Sequence, residues 1–210
     1  MRQRSSGNKV ENLGFLFHTF EGQPYWDETA FYVFTSDEIN ELEAATNALS
    51  SMYEIAVAYA IDKGILPSLG IPKHFIALIE SSWRQRSPTI HGRFDLAYNA
   101  AGGPPKLIEF NADTPTSLLE ASIIQSDWLQ DVNPKFSQWN SLHEHIIESW
   151  KQQRTHITTP LWFASCFESQ EDYMTMTYLR DLAQQAGIES EEIDMRDIGW
   201  CLEGVHKTRS

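Results

Sequence analysis

Positive charge and cysteine are both scarce in this sequence of 210 residues. Lysine and arginine number 16 against 29 aspartates and glutamates, which leaves a formal net charge of -13. Without a basic excess to offset phosphate repulsion, a nucleic-acid backbone or an anionic membrane is a poor candidate for the main partner. The two cysteines, Cys166 and Cys201, form neither a metal-type pair nor a disulfide framework, so we expect a reducing, cytoplasmic location.

Several catalytic signatures are absent as well. The seven histidines include no H-x-x-x-H pair, and no G-x-S-x-G is present, which argues against a histidine-ligated metal and a serine hydrolase. Gly102 and Gly103 precede prolines and not a helix, so they indicate a turn and not a phosphate loop. The apolar part of the N-terminal stretch is too short for a signal peptide or a membrane span.

What is present is the composition of a globular protein, with 41% apolar and 12% aromatic residues. Thr35 and Glu38 fit a capping box, and the helix that follows should run to about Asp62, with Gly64 near its end. Apolar residues recur along it at helical spacing. They are Ile39, Leu42, Ala45, Leu49, Met52 and Ala56.

Helices and strands then alternate, which predicts a mixed α/β fold. Further helices are predicted over about 73–83, 141–153 and 169–187, and another should begin at a cap formed by Thr116 or Ser117. Strands are predicted in "PLWFASC" and "IESEEIDM". The segments "RFDLAY" and "KLIEF" flank a loop rich in glycine and proline, which predicts an antiparallel hairpin.

The hairpin carries charges inside its apolar strands. Residues two apart in a strand share a face, so Arg93 projects with Asp95, and Glu109 projects with Asn111. Three oxygen-bearing side chains on one face suit Mg²⁺, which takes one or two carboxylates together with substrate phosphates and water. Arg93 adds a planar set of donors suited to phosphate. The spacing is therefore compatible with a metal–nucleotide site for phosphoryl transfer.

Other interpretations fit the same spacing. A strand with one solvated face also alternates charge, an Arg–Asp pair is often only a surface contact, and "NAD" is compatible with an Asx turn. Metal-dependent nucleases place an aspartate on one strand and E-x-K on the next. Here Asn111 stands in the lysine position, and the net charge repels nucleic acid.

The text "GRFDLAYN…KLIEFNADTPTSLLEA" resembles the glutathionylspermidine synthase family of ATP-grasp carboxylate–amine ligases. The stretches "SLHEHIIESW" and "EDYMTMTYLRDLAQQAG" also resemble this family, and the resemblance runs from about Gly14 to Trp200. It implies a pre-ATP-grasp-like region followed by the first part of an ATP-grasp-type ligase. It also implies that a glutathione-like or peptide carboxylate is joined to a polyamine-like amine, using ATP and Mg²⁺, through an acyl phosphate.

The resemblance assigns roles to the residues of the hairpin. It implies ATP contact at Arg93, Phe94 and Asp95, with Arg93 stabilising the transition state. It implies that Asp95, Glu109 and Asn111 ligate Mg²⁺.

Three further residues receive roles toward the substrates. Thr114 matches a position that touches the acid. Glu171 and Asp172 fall where acidic residues meet the polyamine, and a carboxylate pocket suits a cationic amine. Charges in the first turn of a helix also have a purely structural interpretation, namely interaction with the helix dipole.

The family continues well past this sequence, and the likeness ends after "DIGW". We expect a flexible N-terminus over 1–12, a family-like portion over 13–200 and an atypical tail over 201–210. The chain is then the first half of a ligase, as a fragment, a frameshifted gene product or an artificially shortened chain. The alternative is a non-catalytic remnant that binds a partner or ligand and turns nothing over.

Overall fold

The computed structural model describes residues 6–113, 116–201 and 204–207, and its helices and strands confirm the mixed α/β class. The chain divides into two compact units. The first unit is built from two separated parts of the chain, residues 1–31 and 114–210, and the second comprises residues 32–113. Within the described ranges, no helix combines the length and the apolar character that crossing a bilayer requires.

The N-terminal part of the first unit contains helix α1 (Ser6–Asn12), which lies in the segment expected to be flexible. The short strands β1 (Thr19–Phe20) and β2 (Gln23–Pro24) follow α1 in the sequence and pair antiparallel with each other. Val10 and Phe15 are almost completely buried, and the Phe15 ring packs against the rings of Tyr25 and Trp26. These ring contacts join the residue Phe15, which follows α1, to the segment directly after β2.

The second unit begins with helix α2 (Ser36–Asp62), whose predicted capping box is confirmed. The Thr35 hydroxyl accepts a hydrogen bond from the Glu38 backbone N–H, and the Glu38 carboxylate accepts one from the Thr35 backbone N–H. Gly64 follows the helix with φ 64°, a left-handed conformation that glycine adopts without steric cost.

The apolar face of α2 follows the prediction for only part of its length. Ile39, Leu42, Ala45 and Leu49 are half-buried, as their spacing predicts. Met52 and Ala56 are exposed, which the prediction did not anticipate, and the inward face continues instead through Tyr53 to Ala60. Helical residues recur every 3.6 positions and not every 3.5, so the covered stripe rotates along a helix of 27 residues.

A 3₁₀ turn (Leu66–Leu69) leads into helix α3 (Lys73–Arg84), one residue longer than predicted. The predicted hairpin follows, with strand β3 (Arg93–Ala97) antiparallel to strand β4 (Lys106–Asn111). Gly102 and Gly103 lie in its connecting loop with φ 124° and 95°. These angles favour glycine and explain why the loop turns there.

The chain then returns to the first unit through a helix that differs from the prediction. The helical residues begin at Leu118, directly after Ser117, whose carbonyl accepts from the Ala121 backbone N–H, as the predicted start requires. The φ of Ser117 is 65°, which lies outside the extended geometry of a typical N-cap. A π-helical turn (Glu120–Ile124) precedes helix α4 (Gln125–Val132). The side-chain amides of Gln138 and Asn140 donate to the Ala121 carbonyl within this turn. The π-helical turn thus coincides with hydrogen bonds from residues that lie outside it in the sequence.

Helix α4 also ties the N-terminal part of the chain to the rest of the first unit. Lys9 of α1 forms ion pairs with Asp127 and Asp131. The Phe31 ring packs against Trp128, with ring centroids 5.2 Å apart.

The remainder of the first unit contains helix α5 (Leu142–Gln153) and a β–α–β arrangement. Strand β5 (Leu161–Ser165) is parallel to strand β6 (Ser190–Asp194), and helix α6 (Gln170–Gln185) connects them and packs on both. Leu182 and Ala183 are fully buried on the inner side of α6. Gly187 follows that helix with φ 80°, as predicted for its C-terminal end. Strands β7 (Ile198–Cys201) and β8 (Gly204–Lys207) form a final hairpin across the start of the expected tail.

Candidate functional site

The β3–β4 hairpin places four polar side chains on one face, as their two-residue spacing predicts. Arg93 lies opposite Asn111, and Asp95 lies opposite Glu109. Directly opposed residues of an antiparallel pair project to the same side, so all four belong to one surface. The register shifts only after Asp95, between Asp95 and Leu96, and therefore leaves these pairs undisturbed.

Arg93 links the two carboxylates of this face. Its Nε donates to Asp95 Oδ1 at 2.8 Å, and its Nη2 lies 3.5 Å from Asp95 Oδ2. The same Nη2 lies 3.9 Å from Glu109 Oε1. The positive charge of Arg93 thus offsets the repulsion between the Asp95 and Glu109 carboxylates, so both can lie side by side on the hairpin.

Electrostatics keep Asp95 ionised. The hydrogen bond from Arg93 is the main reason that the pKa of the Asp95 carboxyl lies below its usual value. The positive charge of Arg93 and a hydrogen bond with Glu109 act in the same direction. The Arg93, Asp95 and Glu109 side chains are between about one third and three fifths exposed. This polar face is therefore charged and open to a ligand from solvent.

Phe94 lies on the opposite face of the hairpin. Its ring stacks on that of Phe110 at a centroid distance of 4.1 Å, and Tyr53 of α2 packs against both. A Cβ added to Gly92 would meet the Phe110 ring at 2.7 Å, so glycine allows this close approach. The structure thus separates the Phe94 side chain from Arg93 and Asp95, the two other residues for which ATP contact was implied.

The donor set of the polar face fits Mg²⁺ in chemical type. Asp95, Glu109 and Asn111 offer two carboxylates and one amide oxygen, the hard ligands that this ion prefers. Across the described part of the chain, no group of three or more His, Cys, Asp or Glu side chains is placed to hold an ion. A Mg²⁺ ion on two carboxylates and one amide would take substrate phosphates and water at its remaining positions.

The predicted substrate residues lie in the first unit, apart from Thr114, which lies outside the described residues. Asp172 is exposed, and its backbone N–H donates to Ser169 Oγ at the start of α6, as in a capped helix. Glu171 is half-buried, and its charge acts on Tyr25 and Glu120. Of the two predicted acidic residues, Glu171 is thus the one whose charge acts on Tyr25 and Glu120.

Glu120 is a residue that the sequence analysis missed. It lies in the π-helical turn and is only 4% exposed. Burial is the main reason that its carboxyl pKa is raised, and the charge of Glu171 adds to that effect. A signal was present in "LLEASII", where a glutamate stands between two apolar pairs. A surface helix with one polar position has the same sequence pattern, however. The burial of Glu120 is therefore known only from the structure.

Comparison with known proteins shows which family the chain is similar to. The family model described as "Glutathionylspermidine synthase preATP-grasp" matches residues 1–208. A Haemophilus influenzae protein named "Putative acid--amine ligase" is 35% identical over 199 residues, which cover 91% of this chain and 50% of that protein. The bifunctional glutathionylspermidine synthetase/amidase of Escherichia coli is 27% identical over 183 residues, covering 85% and 29% respectively.

A third relative is the trypanothione synthetase of Crithidia fasciculata, 30% identical over 132 residues, which cover 60% of this chain and 20% of that enzyme. The chain thus spans half, or less, of the length of the curated relatives it matches. The family match extends through both compact units. On this basis the chain belongs to the glutathionylspermidine synthase preATP-grasp family, whose matched relatives are named as ligases and synthetases.

Proposed function

We propose that this chain carries the nucleotide- and metal-binding face of an ATP- and Mg²⁺-dependent acid–amine ligase. The observation that carries the proposal is the convergence of Arg93, Asp95, Glu109 and Asn111 on one face of the hairpin. Membership in a family of ligases supports it.

The residues of the polar face have separate roles in the proposed function. Asp95, Glu109 and Asn111 would hold Mg²⁺ together with the nucleotide phosphates, and the ion would neutralise phosphate charge when bound. The guanidinium of Arg93 would donate hydrogen bonds to phosphate oxygens as negative charge develops on them. Phe94 would contribute through the packing of the hairpin, because its side chain stacks on Phe110.

The proposed reaction forms an amide in two steps. A carboxylate oxygen of the acid attacks the terminal phosphorus of ATP, which gives an acyl phosphate and ADP. The nitrogen of the neutral amine then attacks the acyl carbon, inorganic phosphate leaves, and a proton is released. Activation is needed because a carboxylate is itself a poor electrophile.

The proposed substrates follow from the relatives and from charge. The relatives' names include glutathionylspermidine and trypanothione synthetases, which supports a glutathione-like or peptide carboxylate as the acid and a polyamine-like amine. A chain with a net charge of -13 attracts cationic amines at long range. Neither a nucleic acid nor a membrane is required as a partner.

The first test is ATP binding, which does not depend on turnover. We expect calorimetry to show ATP binding that weakens when EDTA removes Mg²⁺. Arg93→Ala should weaken ATP binding about tenfold or more, because a hydrogen bond to a charged group contributes about 1.5–3 kcal/mol and 1.4 kcal/mol is a factor of ten. Arg84→Ala is the matched control, since Arg84 is an exposed arginine of α3 that pairs with Glu80.

The second test is phosphate release from ATP with glutathione and spermidine as the first acid–amine pair. Release that needs both substrates and is lost in Arg93→Ala supports the ligase. Binding of Mg–ATP without release, for this and other acid–amine pairs, would favour the alternative of a chain that binds without turnover. If ATP binding is indifferent to both EDTA and Arg93→Ala, the polar face is only a solvated strand surface and the proposal is wrong.

A further inference from the structure

Arg93 contacts the same carboxylates that the proposed function assigns to Mg²⁺. Its Nε lies 2.8 Å from Asp95 Oδ1, and its Nη2 lies 3.5 Å from Asp95 Oδ2 and 3.9 Å from Glu109 Oε1. Both oxygens of Asp95 and one oxygen of Glu109 therefore face the guanidinium. A divalent cation on this strand pair would bind carboxylate oxygens of the same two residues, so the arginine and the cation require the same ligands.

The strand pairing keeps the three side chains together. Asp95 is paired with Glu109, and Arg93 lies two residues before Asp95 on the same strand, so all three project to one side. On the other side of the hairpin, the rings of Phe94 and Phe110 stack with their centroids 4.1 Å apart. The backbone therefore holds Arg93 beside the two carboxylates, and a separation requires its long side chain to rotate away.

Two positive groups at the same carboxylates repel each other. A divalent cation bound by Asp95 and Glu109 would lie within a few ångströms of the guanidinium, where repulsion between a single and a double charge lowers the affinity about tenfold even in water. An arginine side chain does not lose its charge, so the guanidinium must move or be compensated by an anion. The Arg93 side chain is 36% exposed, which leaves it room to move.

We propose that Arg93 competes with the divalent cation for Asp95 and Glu109, and that the nucleotide phosphates end this competition. When phosphates are present, the guanidinium donates to their oxygens and leaves the carboxylates to the cation. Without phosphates, the guanidinium stays on the carboxylates and keeps the affinity for the cation low. The hairpin thus binds metal together with the nucleotide and not before it. This inference rests on the proposed function, which supplies the nucleotide.

The competition predicts opposite effects of one substitution, because Arg93→Gln should strengthen metal binding while it weakens ATP binding. Mn²⁺ is the probe, since it suits the same oxygen ligands as Mg²⁺ and electron paramagnetic resonance measures its free concentration. It is titrated into the whole chain without nucleotide at about 150 mM salt, which screens distant charges. We expect Arg93→Gln to bind Mn²⁺ about tenfold more tightly than the unaltered chain does.

Three further variants make the result specific to the hairpin. Arg84→Gln changes the net charge equally and should leave the Mn²⁺ affinity within twofold, since Arg84 is an exposed arginine of α3 in the same unit and pairs with Glu80. Arg93→Lys keeps the positive charge and should bind Mn²⁺ more weakly than Arg93→Gln does. Adding Glu109→Gln to Arg93→Gln removes a ligand and should abolish the gain in affinity.

Two results would overturn the proposal. The first is an Mn²⁺ affinity of Arg93→Gln within twofold of the unaltered chain, which includes the case in which neither binds at millimolar concentration. The second is a gain that survives the addition of Glu109→Gln, because the ion would then lie elsewhere.

Failure of this inference is distinguishable from failure of the proposed function. If Arg93→Gln raises the Mn²⁺ affinity but the unaltered chain does not bind Mg–ATP, the ligase proposal is wrong and the competition for the carboxylates stands. If Mg–ATP binding depends on Arg93 while the Mn²⁺ affinity is unchanged by Arg93→Gln, the ligase proposal stands and the competition is wrong.

Nuclear magnetic resonance tests the exchange in the unaltered chain. The Nε–H group of Arg93 donates to Asp95, and its signal is assigned by its loss in Arg93→Gln. We expect this signal to shift when Mg²⁺ and ATP are added together without the acid and amine substrates, because the Nε–H group then leaves Asp95. An unchanged signal with Mg²⁺ and ATP bound would show that the guanidinium stays on Asp95, and the proposal would be wrong.

Discussion

At the scale of single residues, Asp194 shows how one ion pair can make stability depend on pH. Its side chain is 8% exposed, and its two oxygens accept from the Arg196 backbone N–H and guanidinium at 2.7–3.0 Å. The hydrogen bonds from Arg196 lower the pKa of the Asp194 carboxyl to about 2. Because the pKa is depressed on folding, ionised Asp194 stabilises the folded chain above its unfolded pKa of about 3.9.

We therefore predict that Asp194→Asn lowers the urea midpoint of unfolding at pH 7. The difference from the unaltered chain should shrink as pH falls from about 4 toward 2, because the carboxyl of the unfolded chain is protonated first and that of the folded chain follows only near its pKa of about 2. Within the described contacts, Glu168 pairs only with the exposed guanidinium of Arg196. Glu168→Gln should therefore lower the urea midpoint by less than Asp194→Asn does. A difference between Asp194→Asn and the unaltered chain that stays constant from pH 7 to pH 2.5 would contradict the prediction.

Residue spacing predicted the polar face of the hairpin but not the burial of Glu120. Arg93 and Asp95 are two apart in one strand, so their shared face follows from strand geometry alone. Tyr25 and Glu171 lie far from Glu120 in sequence, and no local pattern brings them together. Burial is a tertiary property, which is why sequence reasoning did not identify Glu120.

At the scale of elements, helix α2 shows what local signals determine. The capping box fixed its start, and the helix ends at Asp62 as predicted, two residues before Gly64. The π-helical turn could not be predicted, because it accompanies hydrogen bonds from Gln138 and Asn140 that lie well outside the segment. Local propensity thus sets the ends of a regular helix, while distant partners set its irregularities.

The contribution of the Thr35–Glu38 capping box to stability can be tested by substitution. Thr35→Ala removes the hydroxyl that accepts from the Glu38 backbone N–H and should lower the free energy of unfolding by about 1 kcal/mol. Ser50→Ala is the control, since Ser50 is exposed within the same helix and alanine has the higher helix propensity. Denaturant unfolding followed by circular dichroism measures both. Equal destabilisation by the two changes would show that the cap contributes nothing.

At the scale of the whole molecule, apolar burial is unevenly distributed. Most of the buried apolar residues belong to the first unit, whereas the second unit contributes Ala60 and Leu66 among the described residues. Met52, Ile55 and Tyr59 of α2 are each about 60–70% exposed and recur at helical spacing. They form an exposed apolar stripe, and the sequence pattern did not reveal it because a covered stripe has the same periodicity.

We predict that the folded chain enhances the fluorescence of a hydrophobic dye such as anilinonaphthalene sulfonate, and that Ile55→Glu reduces the enhancement. The same change should alter the free energy of unfolding by no more than about 0.5 kcal/mol, because the side chain is exposed. Leu182→Ala, at a fully buried position, should instead cost about 2–5 kcal/mol. Undiminished dye fluorescence in Ile55→Glu would show that the stripe is not the site of dye binding.

The interrupted first unit has a consequence for the order of synthesis. Residues 1–31 leave the ribosome before the rest of their unit, yet Lys9 and Tyr25 find their described partners Asp131 and Ser117 only after the whole of residues 32–113 has followed. At typical elongation rates of about 5–20 residues per second, that intervening segment takes roughly 4–16 s to emerge. During that interval the Val10 and Phe15 side chains lack the C-terminal part of their unit, whereas the unit over 32–113 is already complete.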